Sequence, residues 1–382
     1  MNRVYFYFIF LIAINTKAQD IGLLQEFNGR FDFTMIGNTL NPVENEGLST
    51  CTILTSSSAN LNLQPNDTIE AAYLYWAGSG SGDFEVSLNN ENIIAQRTFE
   101  SNYFGYLFFS AFADVTSQIK ATGNGNYTLS QLDLTDIILP YCQFGINFGG
   151  WAIVLIYGNS NFPINQINVY DGMQSVPDNI IIQLDNLNVI DTTGAKIGFL
   201  AWEGDSALAV NESLTINGDL IGNDLNPNNN AFNGTNSFTG ETNLYNMDMD
   251  FYSIEDNIEV GDTSATIALS SGQDYVMVNC VITKLNSRDP ETIINLIPDG
   301  FSPNNDTIND LFIIPELELL HPDFNISIFN RYGNKVYNGN KDTAHWDGTY
   351  KNKLLPSGTY FYILNLNNET NIQLKGWLYM NR

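Results

Sequence analysis

The sequence predicts an all-β protein: a large jelly-roll-like β-sandwich followed by a small Ig-like β-sandwich. Three observations lead there. Apolar residues alternate with polar ones in short β-branched and aromatic runs, helical periodicity is nearly absent, and clusters of Gly, Asn, Asp and Ser separate the runs. With 43% hydrophobic and 13% aromatic residues in 382, the chain has ample material for buried cores.

The opening stretch, MNRVYFYFIFLIAINTKAQD, holds one Arg, an apolar run from Val4 to Ile14 and small residues around Thr16-Lys17-Ala18. That is the layout of a secretory signal peptide, residues 1–18, cut after Ala18. The run is shorter than the ~20 residues of a spanning helix, and no later segment is longer. The mature chain is thus expected to be exported and soluble.

Residues 19–291 read as one acidic β-sandwich domain with room for two subdomains. Its strands are expected in EAAYLYWAG (70–78), DFEVSLNN (83–90), WAIVLIYG (151–158), INQINVYDG (164–172), IIIQLDNLNV (180–189), AKIGFLAWEG (195–204), SATIALSSG (264–272) and YVMVNCVITKL (275–285). FEVSLNNENII reads as a hairpin turning on Asn89-Asn90, because Asn tolerates the left-handed backbone of tight turns. Asp114 to Ile119 offers capping side chains for one short helical turn. The polar stretch NDLNPNNNAFNGTN (223–236) reads as a long surface loop. After the Ser-Arg-Asp-Pro turn at 287–290 the character changes, and DLFIIPEL, NISIFNRYG, NKVYNG, GTYFYILNLN and IQLKGWLYM read as strands of a second domain, 292–382.

The charge is lopsided, with 42 Asp and Glu against 15 Lys and Arg and a formal net charge of −27. Between 19 and 292 the basic residues are Arg30, Arg97, Lys120, Lys196, Lys284 and Arg288 only. Such a surface repels nucleic acid and anionic lipid, which are held through Lys and Arg. Cations, neutral glycans and proteins remain as partners.

The three cysteines, Cys51, Cys142 and Cys280, form no CxxC and have no His nearby, which argues against zinc. Export permits a disulfide, and Cys51–Cys142 is the expected pair, closing a loop of about ninety residues worth roughly 4–5 kcal/mol in the chain-entropy model. Cys280, inside YVMVNCVITKL, reads as a buried small hydrophobe.

The densest motif is FSPNNDTIND at 301–310. An EF-hand loop needs oxygens at its first, third and fifth positions and Gly at the sixth. Counted from Asn304 the fifth and sixth residues are Ile308 and Asn309, and from Asp306 the third and sixth are Ile308 and Leu311, so neither register works. An Asx-type turn, with side-chain oxygens accepting loop N–H groups, is the simpler reading.

The ordered blocks Phe301-Ser302-Pro303-Asn304, Asp306 with Asn309-Asp310, Phe329-Asn330-Arg331-Tyr332-Gly333, Trp346-Asp347-Gly348, Pro356-Ser357-Gly358-Thr359-Tyr360 and Lys375-Gly376-Trp377 running to Arg382 resemble a known family. It is the gliding-motility-associated C-terminal domain, the type B sorting domain of the Bacteroidetes type IX secretion system. The likeness spans about 298–382. Asn305 and Thr307 depart from it, standing where the family usually has Gly, as does Tyr332, where it often has Trp. The resemblance implies passage across the outer membrane, recognition by the type IX machinery and a SprF-like outer-membrane protein, and a place in the medium or on the outer face of the cell. It implies no chemistry. More loosely, AAYLYWAGSG, AFADVTSQI, FGGWAIVLIY, VYDGMQSV, GFLAWEGD and NNAFNGTNS resemble an uncharacterised β-rich domain of surface proteins that bear the same tail. Together these imply an adhesin or a structural component of a surface adhesion or gliding assembly, with other surface adhesins or glycans as partners.

No catalytic set is assigned. GSGSGD (78–83) precedes a strand rather than a helix and reads as a hairpin loop, not a phosphate loop. His321 and His345 are the only histidines, so a His-based nucleophile is implausible in the large domain. The chemical resource is carboxylate: Glu203 and Asp205 at a strand end, and Asp248 and Asp250, whose alternation puts both on one face. Three readings stand: a solvated acidic face, a weak extracellular-type Ca²⁺ site, or the acid/base pair of a secreted glycan-active enzyme. Tyr73, Tyr75, Trp76, Tyr103, Phe104, Tyr106, Trp151 and Trp202 are the aromatics that could either fill the core or stack on sugars.

Overall fold

The computed structural model describes residues 20–382 apart from 177–178, 207–211, 273–274, 288–295, 316, 322, 344 and 368–371. The expected signal peptide and most of the SRDP stretch lie outside the described residues. The chain divides into two compact units. The first holds residues up to Leu187, Thr193–Ile258 and Thr263–Leu285, and the second holds Asn188–Thr192, Glu259–Asp262 and Asn286–Arg382. The second unit therefore takes in two short stretches from upstream of the turn that the sequence marked.

The chain is nearly all β, as the alternation predicts. A central sheet of the first unit orders its strands Phe31–Thr39, Gly149–Gly158, Thr68–Ser79, Tyr106–Asp114 and Arg97–Tyr103. One of its faces packs against a front sheet ordered Gly22–Gly29, Asn165–Ser175, Met277–Asn286, Lys196–Trp202 and Met247–Ser253, around Met35, Tyr75, Val154, Ile167, Leu200 and Met247. The other face packs Trp76, Trp151, Ile153 and Leu155 against Leu61, Val86, Leu88, Tyr127 and Leu129 of a back sheet. That back sheet orders Ser56–Leu61, Gly125–Ser130, Glu85–Leu88 and Glu91–Ile94. The sandwich thus has a third layer. Its sequence signature is GGWAIVLIYG, a run too continuously apolar to have a solvated face and buried at nearly every position. A fourth sheet joins Ile180–Asp185, Ser264–Ser270, Ser213–Ile216 and Asp219–Leu220.

Local chemistry sets the turns. Asn89 and Asn90 both take positive φ (51° and 67°) between the paired strands Glu85–Leu88 and Glu91–Ile94, as expected of a two-residue hairpin turn. The helix after Asp114 runs Thr116–Thr122, with the Asp114 carboxylate accepting the Thr116 N–H at 2.9 Å. GSGSGD is not a hairpin loop: the strand before it belongs to the central sheet and the one after it to the back sheet, so its glycines carry the chain from layer to layer.

A Cys51–Cys142 disulfide, Cα atoms 5.4 Å apart, ties the loop before the back sheet to the short helix Leu139–Cys142. Cys280 is free and buried. Between front and central sheets, Arg97 grips Asp171 with both terminal nitrogens while the Tyr75 hydroxyl donates to the same carboxylate at 3.0 Å. This half-buried pair is not visible in the sequence, where Arg97 and Asp171 lie on separate strands with no pattern joining them.

The second unit has one main sheet, ordered Gly300–Phe301, Gln373–Met380, Gly358–Asn365, Asn325–Phe329 and Lys335–Gly339. Its inward face buries Ile326, Ile328, Tyr360, Tyr362, Leu364, Leu378 and Met380. The run DLFIIPEL, expected as a strand, is not one: Phe312 makes an isolated bridge to Trp346 and a short helix, Leu317–Leu320, follows. Alternation over four residues there reflects side chains dipping into the core from a loop.

Candidate functional site

The expected carboxylates lie in two neighbouring arrangements built from GFLAWEGD, NNAFNGTNS and NMDMDF. Asp248 and Asp250 do share one face of their strand, and that face is inside the protein, with both side chains fully shielded from solvent. Oδ1 of Asp248 accepts three consecutive backbone N–H groups, from Asn233 (2.9 Å), Gly234 (2.8 Å) and Thr235 (3.0 Å). Asp250 accepts the N–H of Ser237 at 2.9 Å and the hydroxyls of Ser237 and Thr235. The loop 223–236, expected on the surface, is instead half buried, with Asn226, Phe232, Thr235 and Asn236 shielded. Its polar residues supply donors to two buried carboxyl groups; they do not face water.

Close approach is what Gly204 permits. A Cβ there would stand 2.4 Å from Asp248 Oδ2 and 2.7 Å from the Phe232 carbonyl oxygen, so WEGD needs its glycine. Glu203, at φ 73°, accepts from the Asn45 amide at 2.8 Å, and Asp205 accepts from the Asn246 amide at 2.7 Å. Glu212, which the sequence reading passed over, accepts the Phe232 N–H at 2.6 Å.

Glu203, Asp205, Asp248 and Asp250 therefore do not form one ligand set, and no three acidic, His or Cys side chains gather to hold a metal among the described residues. The physical reason is the chemistry of their neighbours. Asp248 Oδ1 and both oxygens of Asp250 face N–H and O–H donors, whose hydrogens occupy the directions a Ca²⁺ ion would take. Burial, together with the charge of Asp250, pushes the Asp248 carboxyl well above the usual carboxylate range, and burial also raises Asp250. Asp248 Oδ2 finds no hydrogen-bond partner among the described residues.

The aromatics separate cleanly. Tyr73, Tyr75, Trp76, Trp151 and Trp202 are core, whereas Tyr103, Phe104 and Tyr106 form the tip of a hairpin. Tyr103 pairs directly with Tyr106, leaving Phe104 and Gly105 as a two-residue turn with φ of 49° and 91°. Phe104 is 86% exposed. Tyr106 packs its ring against Tyr141 and Phe144, the latter also exposed, at centroid distances of 5.2 and 5.3 Å. Phe144, next to the disulfide-bonded helix, was not foreseen as part of this ridge because the two segments are far apart in sequence.

In the second unit four of the sequence blocks converge at one end of the sheet. Phe301 packs on Trp346 (5.4 Å), and Trp346 packs on Tyr360 (5.2 Å), whose hydroxyl donates to the Pro356 carbonyl at 2.8 Å. Arg382 donates through Nη2 to the carbonyls of Asp347 and Gly348, both at 3.2 Å, and its backbone N–H reaches the Ser357 hydroxyl at 3.0 Å. Gly348, at φ 75°, has Met380, Arg382 and Pro303 within contact of where a Cβ would sit. Gly376 is needed for a different reason: a Cβ would be 2.3 Å from the Tyr362 hydroxyl.

FSPNNDTIND is an Asx-built loop. Asp310 accepts the N–H groups of Asn304 (2.9 Å), Asn305 (2.7 Å) and Thr307 (2.8 Å), and Asn309 returns its carbonyl to the Ser302 N–H at 2.8 Å. Asp306 takes the Ile308 N–H and the Asn304 amide, and these bonds hold its carboxyl below the usual range. Asn305 and Thr307, the two departures from the resembled pattern, sit at φ 66° and 72°. Glycine is favoured there because only it adopts that region without cost.

Residues 295–380 match the family model described as CHU_C type IX secretion signal domain. No curated protein matches the chain. Among solved structures, crystals of BuGH86 in complex with neoagarooctaose are similar at 11% identity with a TM-score of 0.21, a variant form covering 72% of this chain and the wild type 62%. The BSP domain of a biofilm associated protein is similar at 8% identity and a TM-score of 0.20, over 97% of this chain and 84% of that one. The chain spans 35% of the length of the first of these, and likenesses at such scores say nothing of activity. Phe301, Trp346 and Gly348 lie within a type IX secretion signal domain, which marks this chain for export out of the cell.

Proposed function

We propose that the first unit is a surface body that binds or builds, an adhesin or structural component of an adhesion or gliding assembly, held on the outer face of the outer membrane. The signal domain at 295–380 is the observation that supports it. In this reading the second unit is received by the type IX machinery and a SprF-like outer-membrane protein. In this reading the large unit acts through its surface rather than through a reaction centre, since Asp248 and Asp250 are shielded from solvent.

One observation favours glycan contact within the same role. The exposed rings of Phe104 and Phe144, with half-buried Tyr106 packed on Phe144, offer faces on which apolar faces of sugars can stack. Other surface adhesins are the alternative occupants of that ridge. Cells displaying the wild-type chain and a Phe104→Ala/Tyr106→Ala variant should be compared on a glycan array and in a polysaccharide hydrolysis screen. The reading expects binding that the variant loses and no turnover by either. Turnover abolished by removing a carboxylate would replace it with a secreted glycan-active enzyme.

A further inference from the structure

The outward face of the main sheet in the second unit is unlike the rest of this acidic chain. Strand register lines up Phe329 with Phe361 and Phe361 with Trp377, giving a row of rings across three strands. Phe361 is 47% and Trp377 55% exposed. Arg331 and Lys375 line the shallow groove that this row floors, and Lys335 stands with its ammonium 5.9 Å from the Phe329 ring centre. Neither Arg331 nor Lys375 has an ion-pair partner among the described residues. The strands Asn325–Phe329, Lys335–Gly339, Gly358–Asn365 and Gln373–Met380 hold no acidic residue, although the chain carries 42 Asp and Glu.

Exposed aromatics in a contiguous row mark an interaction surface, and Trp and Arg are the residues that most often dominate interfaces. Unpaired cations at the edge call for carboxylates opposite. Two of the three rings are phenylalanines with no polar tip, which suits apolar side chains opposite. We infer that the Phe329–Phe361–Trp377 row, edged by Arg331 and Lys375, is where the signal domain docks on the outer-membrane protein that receives it during export, against an apolar strip rimmed by Asp or Glu. The inference rests on the reading that the second unit directs export.

Full-length chains carrying Phe361→Thr with Trp377→Thr, or Lys375→Glu alone, should be expressed in the native host beside the wild type and a chain lacking 298–382. Threonine keeps the strand preference, and Lys375→Glu changes an exposed charge with no packing, so melting temperatures should stay within about 2 °C. The expected result is surface protein reduced about tenfold or more for the aromatic pair, as loss of a hot spot implies. Lys375→Glu should reduce it more than Lys375→Gln, while Tyr350→Thr, exposed elsewhere on the same unit, should not reduce it. Wild-type surface levels for the face variants, with the truncated chain retained, would overturn the docking face alone. A truncated chain that still reached the surface would overturn both the face and the export reading beneath it. Equal effects of Lys375→Glu and Lys375→Gln would remove the acidic partner. So would binding of the purified chain to lipopolysaccharide vesicles, or its dimerisation by light scattering, if either were abolished by Trp377→Thr.

Discussion

Asp248 and Asp310 do the same work in the two units: each gathers three backbone N–H groups of a loop onto one carboxylate. Asp248 is shielded from solvent, whereas the loop around Asp310 is exposed. The same local motif is therefore a core element in one unit and a turn device in the other. Burial decides the cost of losing it, because an orphaned N–H inside the protein keeps its full desolvation penalty whereas one outside is taken up by water.

The sharpest break of this comparison is removal of each carboxylate. Asp248→Ala should cost at least about 3 kcal/mol, since several buried donors are left unsatisfied at about 1–3 kcal/mol each, and denaturant midpoints of the first unit's transition would show it. Equal destabilisation by Asp310→Ala would contradict the role given to burial. The next effect is pH dependence. The folded chain holds the Asp248 proton more tightly than the unfolded chain, so this group's stabilisation is full below the unfolded value of about 4 and is lost as pH rises through its raised value. Asp248→Asn should flatten that decline, and a melting-temperature difference between variant and wild type that stays constant with pH would count against it.

Smaller effects follow in the exposed loop. Asp310→Ala should cost about 1 kcal/mol, the typical net worth of solvated loop hydrogen bonds. Thr307→Gly should stabilise the second unit by about 1 kcal/mol, because a β-branched residue at positive φ is strained there. The smallest is expected from metal: EDTA followed by Ca²⁺ should leave both melting transitions where they were, since the carboxylates of both loops face hydrogen-bond donors.

Much of this fold was legible because alternation and turn chemistry are local. Asn89-Asn90 set a hairpin whatever surrounds it, and GGWAIVLIYG could only be a strand. What stayed hidden depended on partners distant in the chain. NDLNPNNNAFNGTN looked like a surface loop because polarity was equated with solvent, yet its donors answer carboxylates from another strand. Alternation put Asp248 and Asp250 on one face correctly, but could not say that the face was inside. Likewise the period of IQLKGWLYM marks Lys375, Trp377 and Tyr379 as one face, while only the sheet register reveals that Phe361 and Phe329 extend it into a row.

The central claim is that the second unit carries the first out of the cell. Its most direct test is surface labelling of intact cells that express either the full chain or the chain without 298–382, read with an antibody against the first unit. The account predicts label for the full chain and an unlabelled, periplasmic first unit for the truncated one. Equal labelling of both would contradict it.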